Sequence, residues 1–153
     1  MNPIFITFLA FVAMEGVAWF THRFIMHGVL WSLHKDHHKK QSQGFFEHND
    51  FFFVLFALPG MAGLYWGMEN GYNYFFWIGL GITLYGMTYF LVHDIFIHQR
   101  FRWLRYTDNR YFKAIRRAHK THHKHLDRAD GECFGMLWVP LKYFRNQKPV
   151  RNT

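Results

Sequence analysis

Three long apolar stretches limit what this chain can fold into more than any other feature of its sequence. They cover residues 2–20, 51–67 and 72–92, and Glu15 is the only charged side chain among them. A helix needs about 20 residues to cross the hydrocarbon core of a bilayer, and each stretch approaches that length. A soluble domain of this size rarely contains three such stretches. The sequence therefore predicts an all-α integral membrane protein, a helical bundle with three spans.

The segments around these stretches agree with one membrane domain covering residues 1–153. Residues 68–71 form a short polar turn that joins the second and third spans as a hairpin. Pro59 and Gly60 lie inside the second span, where membrane helices tolerate them. No Lys or Arg precedes the first stretch, so it lacks the basic region of a signal peptide, and we expect it to be retained as a span.

A fourth apolar stretch covers residues 133–141 and is interrupted by Gly135 and Pro140. It is too short to cross a bilayer as a helix. Crossing would also carry the basic residues that follow it to the opposite side of the membrane. We expect this stretch to be a re-entrant or interfacial segment.

The distribution of charge predicts the orientation. The chain has 18 Lys and Arg against 10 Asp and Glu, a net charge of +8. If the His22 end of the first span is cytoplasmic, all 18 basic residues lie on the cytoplasmic side, and Glu69 is the only charged side chain on the other. This asymmetry follows the positive-inside rule. Anionic lipid headgroups therefore explain the positive charge, and we expect no nucleic-acid partner.

Ten of the 12 histidines form four clusters within residues 22–48 and 93–125, on the predicted cytoplasmic side. They are H-x4-H at His22 and His27, H-x2-H-H at His34, His37 and His38, H-x4-H at His93 and His98, and H-x2-H-H at His119, His122 and His123. Each H-x4-H follows a span and precedes an H-x2-H-H. Two halves of the chain can thus supply one shared metal site.

Helical geometry gives an expectation for each kind of cluster. An H-x2-H-H run lies within a sector of about 100°, so its imidazoles can point at a common centre. His22 and His27 are about 140° apart on an undistorted helix, so each can serve a different metal.

The number of histidines favours a di-metal centre. Ten imidazoles are too many for one ion, and about five each would leave roughly one open position in a six-coordinate shell, as oxygen-activating iron requires. Imidazole also suits zinc, copper and nickel, so the spacing does not name the metal. Cys133 is the only cysteine, which argues against cysteine-based zinc or iron–sulfur sites. The zincin motif H-E-x-x-H and the haem motif C-x-x-C-H do not occur.

The histidine motifs and their surroundings resemble those of the membrane histidine-rich di-iron oxygenases, the fatty acid hydroxylase superfamily. Within it the chain is most similar to the bacterial β-carotene 3-hydroxylase family. The segments that carry the resemblance are HRFIMHG, WSLHKDHH, FFEHND, YGMTYFLVHDIFIHQRF, AHKTHHKH and GECFGMLWVP. They are distributed over nearly the whole chain.

The resemblance implies O2-dependent hydroxylation of carbon 3 of β-ionone rings, from β-carotene through β-cryptoxanthin to zeaxanthin. Some members also accept 4-keto rings, which leads toward astaxanthin. It implies two iron ions held by the ten clustered histidines, with electrons from a reduced ferredoxin-type donor. Zinc could replace iron in a purified sample. The implied location is the bacterial inner membrane, with the histidines and the C-terminus in the cytoplasm.

Residues near the clusters are candidates for supporting roles. Metal-bound histidines usually donate a hydrogen bond through their other ring nitrogen, and the candidates for this outer shell are Asp36, Asp94, His48, His125 and Glu15, followed by Glu47, Asp50, Asp127, Asp130 and Glu132. The aromatic side chains that could line the path of an apolar substrate are Phe90, Phe96, Phe134 and Trp138. Arg100, Arg102 and Arg105 are expected to meet lipid phosphates or an acidic ferredoxin.

Two other functions stay open. The same chemistry could act on another lipid, as a hydroxylase or desaturase of a fatty acyl chain or a sterol. A membrane metal-binding or transport protein is the alternative of another class, although a transporter should carry polar ligands near the middle of its spans.

Overall fold

The computed structural model describes residues 1–39, 46–101, 106–129 and 131–145, and this part of the chain is helical without strands. The α-helices are α1 (Pro3–Phe20), α2 (Trp31–His38), α3 (Asp50–Glu69), α4 (Tyr74–Tyr89) and α5 (Arg110–His122). Two π-helical segments, Thr21–Val29 and Phe90–Ile97, continue α1 and α4, and a 3-10 turn covers Leu141–Phe144. The predicted all-α fold is confirmed.

Three continuous helical stretches are long and apolar enough to cross a membrane, as predicted. They are Pro3–Val29, Asp50–Glu69 and Tyr74–Ile97. The first and third extend beyond the predicted ends at residues 20 and 92 because the π-helical segments prolong them. Many large apolar side chains along these helices are exposed, among them Phe8, Val12, Phe53, Leu58 and Ile78. An apolar surface of this extent suits contact with lipid.

Helix α4 lies between α1 and α3 and packs closely against both. Small residues permit this approach. A Cβ at Gly67 would lie 2.3 Å from the backbone nitrogen of Phe76, and one at Gly79 would lie 2.6 Å from the backbone nitrogen of Leu64. Contacts between small residues are the usual way in which membrane helices associate closely. The glycines therefore fix the α3–α4 hairpin.

The C-terminal part of the chain packs against the ends of α1 and α4. Ile115 of α5 and Met136 join a buried cluster with Met14, Tyr85 and Phe96. The predicted fourth segment, residues 133–141, is irregular up to Pro140 and lies beside α1. This packing brings α5 and the irregular segment to the histidines that follow the spans.

Candidate metal centre

Nine of the ten clustered histidines form two compact groups. The five-histidine group consists of His22, His27, His34, His38 and His122, and the four-histidine group consists of His37, His93, His98 and His119. In each group, one ring nitrogen from every member lies within 4.8 Å of those of the others. The tenth residue, His123, lies between the groups, with ring centroids 4.5 Å from those of both His38 and His119.

The π-helical segments bring together histidines that an α-helix would separate. His22 and His27 lie in the same group, with ring centroids 5.1 Å apart, so the expectation that they serve different metals was wrong. In a π-helix the hydrogen bonds join residues five apart, which brings such residues to the same side of the helix. The second π-helical segment likewise brings His93 close to His98, and their ring centroids are 4.5 Å apart.

Each H-x2-H-H cluster divides between the two groups instead of pointing at one centre. Helix α2 places His34 and His38 in the five-histidine group and His37 in the other. His34 and His38 are about 40° apart around the helix, whereas His37 lies about 60° to the other side of His34. Helix α5 supplies His122 to one group and His119 to the other. Both halves of the chain therefore contribute to both groups.

Oxygen atoms orient the five-histidine group from outside. His22 and His122 donate through Nδ1 to the carbonyls of Phe134 and Glu132, at 2.9 and 2.8 Å. His38 donates to the carbonyl of His125 at 3.0 Å, His27 to that of Arg128 at 3.4 Å, and His34 to Oδ1 of Asn49 at 2.6 Å. Because these oxygens can only accept, each Nδ1 carries the proton and each Nε2 presents its lone pair inward.

Carboxylates accept hydrogen bonds from two members of the four-histidine group and orient their rings. His37 donates through Nδ1 to Oε2 of Glu47 at 2.7 Å, and His93 donates to Oδ2 of Asp94 at 3.2 Å. Burial raises the pKa of Glu47, while the nearby Arg100 guanidinium opposes that shift. A carboxylate behind an imidazole raises the basicity of a metal ligand and fixes its ring.

The inward nitrogens face one another across short distances. Nε2 of His22 lies 3.1 Å from that of His34, and Nε2 of His37 lies 3.2 Å from that of His93. Lone pairs at this distance repel each other unless a cation lies between them. Two nitrogens about 2.1 Å from an ion and at right angles to each other would be about 3 Å apart. The spacing therefore fits ligands of a shared metal ion.

Burial favours the neutral form of seven clustered imidazoles that lie beyond the ends of the spans. It lowers the pKa of His34 and of His123 to about 2, that of His122 to about 3 and that of His38 to about 4, with smaller contributions from neighbouring histidines. The same causes lower the pKa values of His37, His98 and His119. Neutral imidazole is the form that binds metals.

Two buried ring nitrogens have no hydrogen-bond partner among the described residues, namely Nε2 of His38 and Nε2 of His123. Buried polar atoms are rarely left without a partner, and a metal ion would provide one. These orphaned atoms, the neutral rings and the inward lone pairs all fit transition-metal ions. The histidine-rich centre could therefore hold metal.

The predicted supporting residues occupy several different positions. Asp94 contacts His93 directly, whereas Asp36 accepts from the backbone N–H and the Nδ1 of His48, at 2.7 and 2.9 Å. The imidazole of His48 is exposed. His125 contributes its carbonyl rather than its side chain. Glu15 has other partners, since its Oε1 accepts from the backbone N–H groups of residues 136–138.

Among the remaining acidic candidates, some contact the histidines and others do not. Glu47 contacts His37, and the backbone carbonyl of Glu132 contacts His122. Asp127 pairs with Lys39 at 3.5 Å on the surface, and Asp130 lies outside the described residues. Asn49 and the backbone carbonyls were not among the residues predicted from the sequence. The run EHND, which contains Glu47 and Asn49, was the available signal for Asn49, whereas no side-chain pattern can reveal a carbonyl.

Arg100 faces carboxylates rather than open solvent. Its guanidinium lies 2.6 Å from Oδ1 of Asp50, 3.2 Å from Oδ1 of Asp94 and 3.7 Å from Oε2 of Glu47. The expectation that Arg100 meets lipid phosphates or a docking partner is therefore corrected, because three acidic side chains surround its guanidinium. Arg102 and Arg105 lie outside the described residues.

The four predicted aromatic residues differ in their relation to the histidines. The ring of Phe134 is buried against His22, His27 and His122, with centroids 5.0–5.4 Å apart. Phe96 is buried beside Arg116 in the apolar core, and Phe90 packs near Phe53. Trp138 is 82% exposed. Phe134 is thus the one of the four that contacts the five-histidine group directly.

Known proteins provide an independent comparison. Residues 7–141 match the family model described as Fatty acid hydroxylase. The chain is 43% identical over 143 residues to the "Beta-carotene hydroxylase" of Pseudescherichia vulneris, covering 88% of this chain and 75% of that protein. It is 36% identical over 146 residues to the "Beta-carotene hydroxylase" of Paracoccus sp. (strain PC1), covering 92% and 86%.

A plant protein is also similar. The "Beta-carotene 3-hydroxylase 2, chloroplastic" of Arabidopsis thaliana is 37% identical over 134 residues, which cover 86% of this chain and 43% of that protein. No solved structure matches the chain.

Proposed function

We propose that this chain, which belongs to the fatty acid hydroxylase family, is a β-carotene 3-hydroxylase that converts β-carotene through β-cryptoxanthin to zeaxanthin. Bacterial relatives that are 36–43% identical over most of the chain carry that activity in their names. The structural observation that carries the proposal is the pair of histidine groups, whose Nε2 atoms converge while oxygen atoms hold Nδ1. Acceptance of 4-keto rings is part of the same proposal.

Hydroxylation consumes one O2, two electrons and two protons for each C–H bond converted to C–OH, and releases one water. Two iron ions held by the histidines would supply the activation of O2 that an unactivated C–H bond requires. Buried histidines and Phe134 keep water from the five-histidine group. The electrons would come from a reduced ferredoxin-type protein.

The lipid-exposed surface is compatible with a long apolar substrate. β-Carotene dissolves in the hydrocarbon of the bilayer, so it would approach between the spans and not from water. The buried Phe134 ring contacts three of the histidines, and it is therefore the best candidate to guide a β-ionone ring toward the metal. Phe90, Phe96 and Trp138 would act farther from the histidines.

Pigment analysis in a bacterium that accumulates β-carotene tests the function directly. The intact chain should produce β-cryptoxanthin and zeaxanthin, whereas His37→Ala should produce neither because it removes a buried ligand of the four-histidine group. Lys35→Ala is the matched control, since Lys35 is exposed on the same helix, two residues from His37.

The opposite outcome is that β-carotene stays unchanged although the protein is present in the membrane, loaded with iron and supplied with reductant. That outcome would refute the carotenoid substrate and would favour another lipid, such as a fatty acyl chain or a sterol. A metal-binding or transport function would instead require metal flux without any oxidised product.

The orientation is a separate part of the proposal. We propose that the chain lies in the bacterial inner membrane with the histidines and the C-terminus in the cytoplasm. The one-sided distribution of basic residues supports this sidedness. A C-terminal fluorescent-protein fusion should fluoresce, and a C-terminal alkaline phosphatase fusion should be inactive. The reverse pattern would invert the orientation.

A further inference from the structure

The carboxylate of Glu15, in the first span, binds three consecutive backbone N–H groups. Its Oε1 accepts from Met136, Leu137 and Trp138, each at 2.9 Å. Its Oε2 accepts from the hydroxyl of Tyr85 at 2.7 Å, which ties α4 to the same carboxylate. Glu15 thus joins two spans to the irregular C-terminal segment.

The irregular segment needs such an acceptor. Residues 136–138 belong to no helix, so their N–H groups lack the internal partners that a helix provides. An apolar environment offers no water to replace those partners, and an unsatisfied group there is costly. Gly135 lets the backbone approach, because a Cβ at this position would lie 2.8 Å from Oε1 of Glu15. The ionisable side chain in the span therefore has a specific structural task.

The same segment reaches the five-histidine group. The Phe134 carbonyl accepts from Nδ1 of His22, and the Glu132 carbonyl accepts from Nδ1 of His122. The Phe134 ring packs against both imidazoles. Only one residue separates Phe134 from the first N–H group that Glu15 binds. A displacement of residues 136–138 would therefore move the carbonyls that orient two candidate ligands.

We infer that Glu15 is a positioning residue for the five-histidine group, which acts by anchoring residues 132–138 and through them His22 and His122. No part of residues 132–138 contacts the four-histidine group through a described hydrogen bond, so the effect should be selective for one group. The inference deepens the proposed function, on which its catalytic meaning rests. Anchoring and selective metal binding can be tested without any hydroxylation.

Cys133 provides a reporter of the anchor within the natural sequence. It is the only cysteine in the chain, it lies in the anchored segment, and it is half-buried. The rate at which a thiol reagent modifies Cys133 in the purified holoprotein reports how often the segment detaches. We expect Glu15→Ala to raise this rate at least about tenfold, since the three backbone N–H groups of the segment lose their charged acceptor.

Two further variants separate anchoring from general loosening of the spans. Glu15→Gln keeps an oxygen acceptor and should restore slow modification. Tyr85→Phe removes only the bond to Oε2 and should leave the rate close to that of the intact chain. Equal rates for Glu15→Ala and the intact chain would overturn the inference, and so would a Tyr85→Phe rate as fast as that of Glu15→Ala.

Metal content gives the second readout. Purified Glu15→Ala should hold about half the metal of the intact chain, and after replacement with cobalt(II) it should lose the absorption bands of one centre only. Glu15→Gln should retain both centres. Unchanged metal content and cobalt spectrum in Glu15→Ala would refute the positioning role. If the intact chain hydroxylates no carotenoid, the proposed function fails while these two readouts still decide the role of Glu15.

Discussion

Removal of the Glu47 carboxylate should weaken metal binding in the four-histidine group. Glu47 accepts a hydrogen bond of 2.7 Å from His37, and its side chain is only 18% exposed, so water can replace it poorly. A hydrogen bond to a charged group contributes about 1.5–3 kcal/mol. Since about 1.4 kcal/mol corresponds to a factor of ten, Glu47→Ala should weaken metal binding about 10–100-fold.

Competition with a chromophoric chelator, in detergent or nanodiscs, measures this effect. Glu47→Gln keeps an oxygen acceptor without the charge and should fall between Glu47→Ala and the intact chain. Glu69→Gln is the control, because Glu69 is an exposed carboxylate at the far end of α3. Unchanged affinity in Glu47→Ala, or equal weakening of both metals, would show that Glu47 does not orient His37 in the way described.

Three other changes have definite expected results. Gly67→Ala should lower the thermal stability of the purified protein, because the new Cβ would collide with the backbone of α4. Gly86→Ala is the control and should not lower it, because there is open space around the new Cβ. Equal melting temperatures for the two variants would contradict the close packing of α3 and α4. Arg100→Lys should reduce the metal content of the four-histidine group, since one ammonium cannot bridge three carboxylates as a guanidinium does. Full metal content in this variant would argue against the bridging role of Arg100. Phe134→Ala should lower zeaxanthin yield by removing a buried ring from the five-histidine group, while a normal yield would remove Phe134 from the substrate path.

The three spans were predictable because their signal is local. Long apolar stretches with almost no charge are recognisable without knowledge of their neighbours, and the structure has a helix long and apolar enough to cross a membrane at each of the three. The histidine clusters were also recognisable, and the structure gathers all ten residues in one region. Their division between two groups was not predictable, because it depends on the π-helical segments and on how α2 and α5 are rotated.

The supporting contacts were harder still to predict. Asp94 is adjacent to His93 in sequence, so its contact was an obvious candidate. Phe134 reaches His22 across 112 positions and does so with a backbone carbonyl, which every residue possesses. The sequence shows Glu15 as an ionisable group in a span, but three of its partners are backbone N–H groups more than 120 positions away. Contacts of this kind arise from tertiary packing and have no local pattern.

The position of α5 has a consequence for how the protein is made. This helix is the last of the five to leave the ribosome, and it contributes His119 to one histidine group and His122 to the other. An unfinished chain that ends before residue 110 therefore lacks a member of each histidine group. Neither group can be complete before α5 has been made. A nascent chain with its spans already inserted therefore still has to wait for α5 before either histidine group is complete.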